Sequence, residues 1–123
     1  MVQLTRQRAC EERLSNVRVE QRDFMVQGTG LAAATVDYVM LFNILHCEDP
    51  VALLGEARRI LRAGGLLGIM HWNYDSSTPR GPSMHIRPSP DQCLDWAVAA
   101  GFHLHIDRII HLPPYHYDWV VAK

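Results

Sequence analysis

The sequence predicts an α/β fold, with a mostly parallel sheet closed by an antiparallel strand pair at the C-terminal end. Three observations carry this. Val36–Phe42 and Leu66–Trp72 are apolar runs without strict alternation, as in strands covered by helices on both faces. Between them lies an amphipathic helical segment, "PVALLGEARRILR". The last twenty or so residues, "HLHIDRIIHL" and "YHYDWVVAK", read as two strands joined through Pro113-Pro114.

The elements follow in order. Residues 3–14 read as a charged helix with Leu4, Cys10 and Leu14 as its apolar points. "NVRVEQRDF" alternates and predicts a strand ending near Asp23. Residues 25–35 are small and glycine-bearing, hence loop. Asp49 followed by Pro50 is a helix start, a side-chain cap and then a proline in the first turn. On that helix Leu54, Ala57 and Leu61 form one stripe, widened by Val51, Leu53 and Ile60, and Gly64-Gly65 is expected to supply the left-handed end. Residues 73–88 form a long Pro/Gly/Ser loop, and loops of this length are often functional. Ser89-Pro90-Asp91 caps a helix over 90–100 that ends at Gly101.

Composition bounds the function. The 123 residues form a single domain, 1–123, with 12 basic and 13 acidic side chains and a net charge of −1. No field of one sign is available for nucleic acid or an anionic membrane. No apolar run approaches the ~20 residues of a membrane span, and the first residues lack the apolar centre of a signal peptide. Cys10, Cys47 and Cys93 are odd in number and far apart, so reduced thiols and a cytoplasmic location are expected.

The chemistry-bearing residues gather where strands should end: Asp23, Asn43, His46 and His71. In open α/β sheets, ligands bind beyond the carboxyl ends of the strands. Each residue also has a plainer role available. Asp23 can close a turn, Asn43 can satisfy a turn amide, and His46 can pack half-buried instead of accepting a proton. Trp72, Trp96 and Trp119 read as core or interface residues. His103 and His105 share a strand face, with His111 and His116 near in sequence, but two strand histidines are not a coordination sphere and no metal is assigned.

"VDYVMLFNILHCEDPVALLGEARRILRAGGLLGIMHW" resembles the second half of class I S-adenosylmethionine-dependent methyltransferases. The likeness lies in the Val-Asp strand start, the polar turn with His, the Asp-Pro helix start and the Leu-Arg-Ala-Gly-Gly helix end. "NVRVEQRDF" resembles the family's third strand, and "SPDQCLDWAVAAGF" its late helix. The resemblance spans about residues 4 to 123 and implies a partial Rossmann-like sheet. It implies that Asp23 accepts a hydrogen bond from adenine, that Phe24 lies along the ring, and that Phe42 and Asn43 line the methionine side of the cofactor. It places Phe42 and Asn43 at the methyl-transfer site and His46 one turn later, near the substrate entrance. Beside that resemblance, His71 at its strand end joins Asn43 and His46 as a catalytic candidate, and Asn73, Arg80 and Tyr115 are the substrate-side candidates, with Arg80 suited to an anion. The implied reaction is methyl transfer from S-adenosylmethionine to a small molecule, since no basic groove is visible.

The family's glycine-rich first motif and its ribose-binding acidic residue are expected to precede this sequence. "GTGLAA" (Gly28–Ala33) fits the glycine fingerprint in form only, because no helix fits between it and the strand at Val36. Weak cofactor binding by the chain alone, or none, is therefore expected. The alternative is a non-catalytic, truncated methyltransferase-like module that binds a partner or its own copy. Without the missing strands, Val17–Asp23 is expected either to pair beside Val36–Phe42 or to leave that edge for a homodimer.

Overall fold

A computed structural model describes residues 1–123. Its elements are α1 (Val2–Glu11), α2 (Phe24–Gln27), β1 (Val36–Phe42), α3 (Pro50–Ile60), β2 (Leu61–Trp72), α4 (Pro90–Ala99), β3 (His103–Leu104), β4 (Ile110–Leu112) and β5 (His116–Ala122). The strand order is β1-β2-β5-β3, with β4 also on β5. β1 and β2 are parallel, and β5 is antiparallel to β2, β3 and β4. Four strands thus point one way and β5 runs against them, as the α/β reading requires. The pair read as "HLHIDRIIHL" and "YHYDWVVAK" is antiparallel. Its first member is broken into β3 and β4, because five residues (105–109) bulge out where β5 has only Trp119 and Val120.

Helices α3 and α4 start where local chemistry sets them. Asp49 accepts from the Ala52 N–H at 2.9 Å, with Pro50 in the first turn. Ser89 and Gln92 form a reciprocal capping box. Both helices pack on one face of the sheet. Leu53, Leu54 and Ala57 of α3 and Cys93 and Ala97 of α4 meet Leu67 and Ile69 of β2 and Tyr117, Trp119 and Val121 of β5.

The opposite face carries no helix. Tyr38, Met40 and Phe42 of β1 stand exposed there, so β1 is not buried on both faces as its apolar run predicted. An apolar strand becomes a two-sided core element only when a second layer reaches it. β1 is also the sheet's free edge.

Val17–Asp23 is not a strand and does not pair with β1. It runs irregularly and largely exposed, held by Arg6 donating to the Val19 carbonyl at 3.2 Å and by Arg18–Glu20 and Arg22–Glu20 ion pairs. Its alternation had no neighbouring strand to satisfy the backbone, and its charges are better solvated. α1 buries no residue.

Gly64-Gly65 does not cap α3, which ends at Ile60. β2 begins at Leu61, opposite Val36, and residues 62–65 loop out before Leu66 meets Tyr38. Gly64 holds the left-handed conformation in that bulge. A side chain on Gly65 would sit 2.9 Å from the Arg62 carbonyl oxygen. Arg62 reaches back across the bulge to pair with Asp37.

Candidate functional site

The carboxyl ends of β1 and β2 converge on one polar cluster. Asn43 follows β1 with φ 55°, a left-handed conformation that asparagine tolerates better than most residues. Its N–H donates to the Met70 carbonyl, which pins the turn to β2. Its side-chain Nδ2 donates to Nε2 of His116 at 3.4 Å, while Oδ1 is buried without a partner. His46 lies one turn further on, and its Nδ1 stands 3.3 Å from Nε2 of His71. Trp72 stacks on His116 with ring centroids 4.2 Å apart and leans toward Tyr115 at 6.4 Å.

His71 has no exposed surface. Burial chiefly, then the neighbouring His46, pushes its pKa down to about 4, with Arg87 and His116 adding to the repulsion. It is therefore a neutral ring at physiological pH, sealed from solvent behind His46 and the sheet. Beneath it, Tyr117 donates its hydroxyl to the Pro88 carbonyl and contacts the Cys93 sulfur at 3.2 Å. Burial raises both groups, the Cys93 thiol to about 11. Cys93 is therefore a packed thiol and not a nucleophile.

The expected cofactor residues divide. Phe24 and Phe42 come together with Val39, Leu41, Ile44 and Leu53 around an apolar groove of about 490 Å³ along the free edge of β1. Asn43 adjoins that groove in sequence. Asp23 is exposed, and its carboxylate caps α2 by accepting from the Val26 N–H at 3.3 Å.

The expected substrate residues share one loop wall. Asn73 donates its N–H to the Tyr115 carbonyl at 2.7 Å, and Tyr115 is partly exposed. The Arg80 side chain is exposed and makes no hydrogen bond. The residue that organises the loop is Arg87, which sequence reading missed. Its buried guanidinium donates to the carbonyls of Asn73, Asp75, Arg80 and Pro82 and to the Thr78 hydroxyl. Gly81 lies so close that a side chain there would sit 2.8 Å from Trp72 and 3.0 Å from Arg87. The only sequence signal was an arginine set among loop prolines, which looks the same when it is solvated.

On the uncovered sheet face, Asp118 keeps one carboxylate oxygen buried and unpartnered, and burial raises its pKa. Among all residues, no group of three or more His, Cys, Asp or Glu is placed to hold a metal ion. No helix is long and apolar enough to cross a membrane.

A family model described as a methyltransferase domain matches residues 1–69. The chain belongs to the class I S-adenosylmethionine-dependent methyltransferase family. Solved structures agree on the fold. A SAM-dependent methyltransferase from Aquifex aeolicus superposes with a TM-score of 0.85 at 20% identity, covering 98% of this chain and 62% of that one. A protein described as the [4+2]-cyclase SpnF superposes at 0.82 with 16% identity, over 99% of this chain and 62% of that one. The trans-methyltransferase CalH, solved with SAH, superposes at 0.73 with 18% identity, over 99% of this chain and 40% of that one. The methyltransferase-family chain thus spans less than two thirds of the length of these three relatives. No curated protein is similar enough in sequence to match.

Proposed function

We propose that this chain takes part in methyl transfer from S-adenosylmethionine to a small-molecule acceptor, in the cytoplasm. The observation that carries the reading is the polar cluster of Asn43, His46 and His71 at the strand ends, beside an apolar groove lined by Phe24 and Phe42, in a chain of this family. The groove suits the flat and apolar parts of the cofactor. Phe24 and Phe42 would flank it, the unpartnered oxygen of Asn43 would accept from its polar end, and Asp23 would face the adenine amino group. When bound, the cofactor supplies an electrophilic methyl group. The protein's share is then mostly alignment and exclusion of water. Asn73, Arg80 and Tyr115 would wall the acceptor, with the Arg87-braced loop keeping that wall in place.

A second reading rests on the free edge of β1. An apolar edge strand recruits another strand. In this reading the chain is a non-catalytic module whose β1 pairs with β1 of a second copy, and sedimentation equilibrium would find a dimer.

Calorimetric titration with S-adenosylhomocysteine separates the two. Under the first reading binding is measurable but weaker than low micromolar, because a micromolar constant needs about 8 kcal/mol from a groove without charged partners. Asp23→Ala should then weaken it by about 1 kcal/mol. No heat at millimolar ligand, with a dimer in the ultracentrifuge, overturns the first reading in favour of the second.

A further inference from the structure

The loop over residues 73–88 is built around one buried cation. No carboxylate lies within ion-pair distance of the Arg87 guanidinium. Its donors go instead to the carbonyls of Asn73, Asp75, Arg80 and Pro82 and to the Thr78 hydroxyl. All three nitrogens are engaged, so Arg87 keeps no donor for a ligand. Its effect on the site passes through what the loop touches.

Two paths lead from Arg87 to the strand ends. In the first, Nη2 bonds the carbonyls on either side of Gly81, and Gly81 closes on the Trp72 indole so tightly that no side chain fits between Arg87 and that ring. Trp72 in turn stacks on His116 at 4.2 Å. In the second, Nη1 bonds the Asn73 carbonyl, and the Asn73 N–H donates at 2.7 Å to the carbonyl of Tyr115, the residue before His116. Both paths end on His116, whose Nε2 lies 3.4 Å from the amide nitrogen of Asn43.

The sheet fixes the backbones of Trp72 and His116, which sit opposite each other on β2 and β5. It does not fix their ring angles, because side-chain torsions have several staggered wells open to them. The indole, backed by Gly81, holds the His116 ring toward Asn43. The Asn43 backbone is set by its left-handed turn and its bond to Met70, so the freedom left to it is rotation of the side chain. One end of its amide rests on His116, and the other, Oδ1, is buried without a partner.

We propose that Arg87 is a positioning residue for Asn43. By bracing Gly81 and Asn73 it sets Trp72 and His116, and His116 sets the direction of the Asn43 amide at the carboxyl end of β1. The role requires arginine. Five donors in a planar fork reach acceptors on several sides, whereas lysine offers three from one point. Arg87→Lys keeps the charge but leaves buried carbonyls unpaired. That the Asn43 oxygen receives the cofactor rests on the methyl-transfer reading; that Arg87 orients it does not.

Nuclear magnetic resonance on the full, isotope-labelled chain reads the orientation directly. In the wild type, cross-peaks should join the Asn43 side-chain amide to the His116 ring and Gly81 to the Trp72 indole, with the His116 ring protons shifted upfield by that indole. Absence of the Asn43–His116 cross-peaks overturns the proposal. In Arg87→Lys these cross-peaks should vanish and the upfield shift should shrink, while the backbone amides of Ile69, Tyr117 and Trp119 keep their positions. Gly81→Ala, which breaks the first path at its middle, should do the same. An Asn43–His116 contact that survives Arg87→Lys makes Arg87 a brace of the loop alone and overturns the proposal. If Arg87→Lys does not fold, Gly81→Ala decides in the same way.

Calorimetry with S-adenosylhomocysteine measures the consequence. Arg87→Lys should weaken binding about five-fold, the value of one hydrogen bond, and should cost nothing further in an Asn43→Ala background. An equal loss in both backgrounds means that Arg87 acts by a route other than Asn43, and it overturns the proposal. Cross-peaks that follow Arg87 as expected, in a chain that does not bind S-adenosylhomocysteine, support the positioning and sink the methyl-transfer reading alone. Binding that is measurable in the wild type but indifferent to Arg87→Lys sinks the positioning alone.

Discussion

Residues 1–44 and 45–123 are built on different terms. All 20 buried residues lie at or beyond Leu45, and none lies before it. The second region owns a core in which two capped helices cover one face of the sheet. The first region makes local hydrogen bonds and surface ion pairs, and it is joined to the core mainly through β1 and one clasp on α3. In that clasp Glu56 accepts from the backbone N–H and hydroxyl of Thr29 at 2.8 and 2.7 Å, while Arg59 donates to Glu56 and to the Leu31 carbonyl. The lesson is that helix propensity and alternation put elements on paper, but only burial against a partner gives them stability.

Removing the same side chain from each region should give the largest contrast. Leu54 is fully buried, and Leu54→Ala should cost about 2–5 kcal/mol in denaturant unfolding. Leu4 is exposed on α1, and Leu4→Ala should cost less than about 0.5 kcal/mol. Equal losses would mean that α1 packs on the core in solution.

Acid should act next, and on the core first. His71 is held neutral in the fold, with a pKa of about 4 against 6.5 when unfolded. Between those values the unfolded chain binds the extra proton, so stability is full above pH 6.5 and falls as pH drops toward 4. The loss is on the order of 3 kcal/mol. His71→Phe should flatten the stability profile across that window. A slope that survives the substitution would place the titration elsewhere.

The clasp gives a smaller effect. Arg59, then the Thr29 contacts, hold Glu56 down at about 2, so its contribution is present above its unfolded value of 4.5 and fades as pH falls toward 2. Glu56→Gln should lower global stability by about 1 kcal/mol, screened as a partly exposed pair. It should speed proteolysis within residues 1–35 well before the core opens. Cleavage at an unchanged rate would show that β1 alone holds the first region.

The smallest effect should come from the loop tip. Arg80→Ala should change stability by less than about 0.5 kcal/mol, since the side chain is exposed and unbonded. Loss of acceptor turnover without loss of stability would identify Arg80 with the substrate wall.

Much of the second region, and β1 at the end of the first, was legible in the sequence because the signals are local. Asp49-Pro50 and Ser89-Pro90 set helix starts through hydrogen bonds within four residues. The apolar runs at 36–42 and 66–72 and the last seven strand residues needed only β propensity and a burial face. The carboxyl ends of those strands located the polar cluster. Three things were decided by tertiary structure alone. Val17–Asp23 has the alternation of a strand but no neighbour to bond, so it is coil. β1 has the composition of a two-sided core strand but only one covering layer, so Tyr38, Met40 and Phe42 face out. Arg87 and the His46–His71 pair depend on groups 5 to 25 residues away, closing loops that no local pattern encodes. A short hydrogen bond within one turn is written in adjacent letters; a proton shared between two strand ends exists only after the sheet has brought them within 3.3 Å.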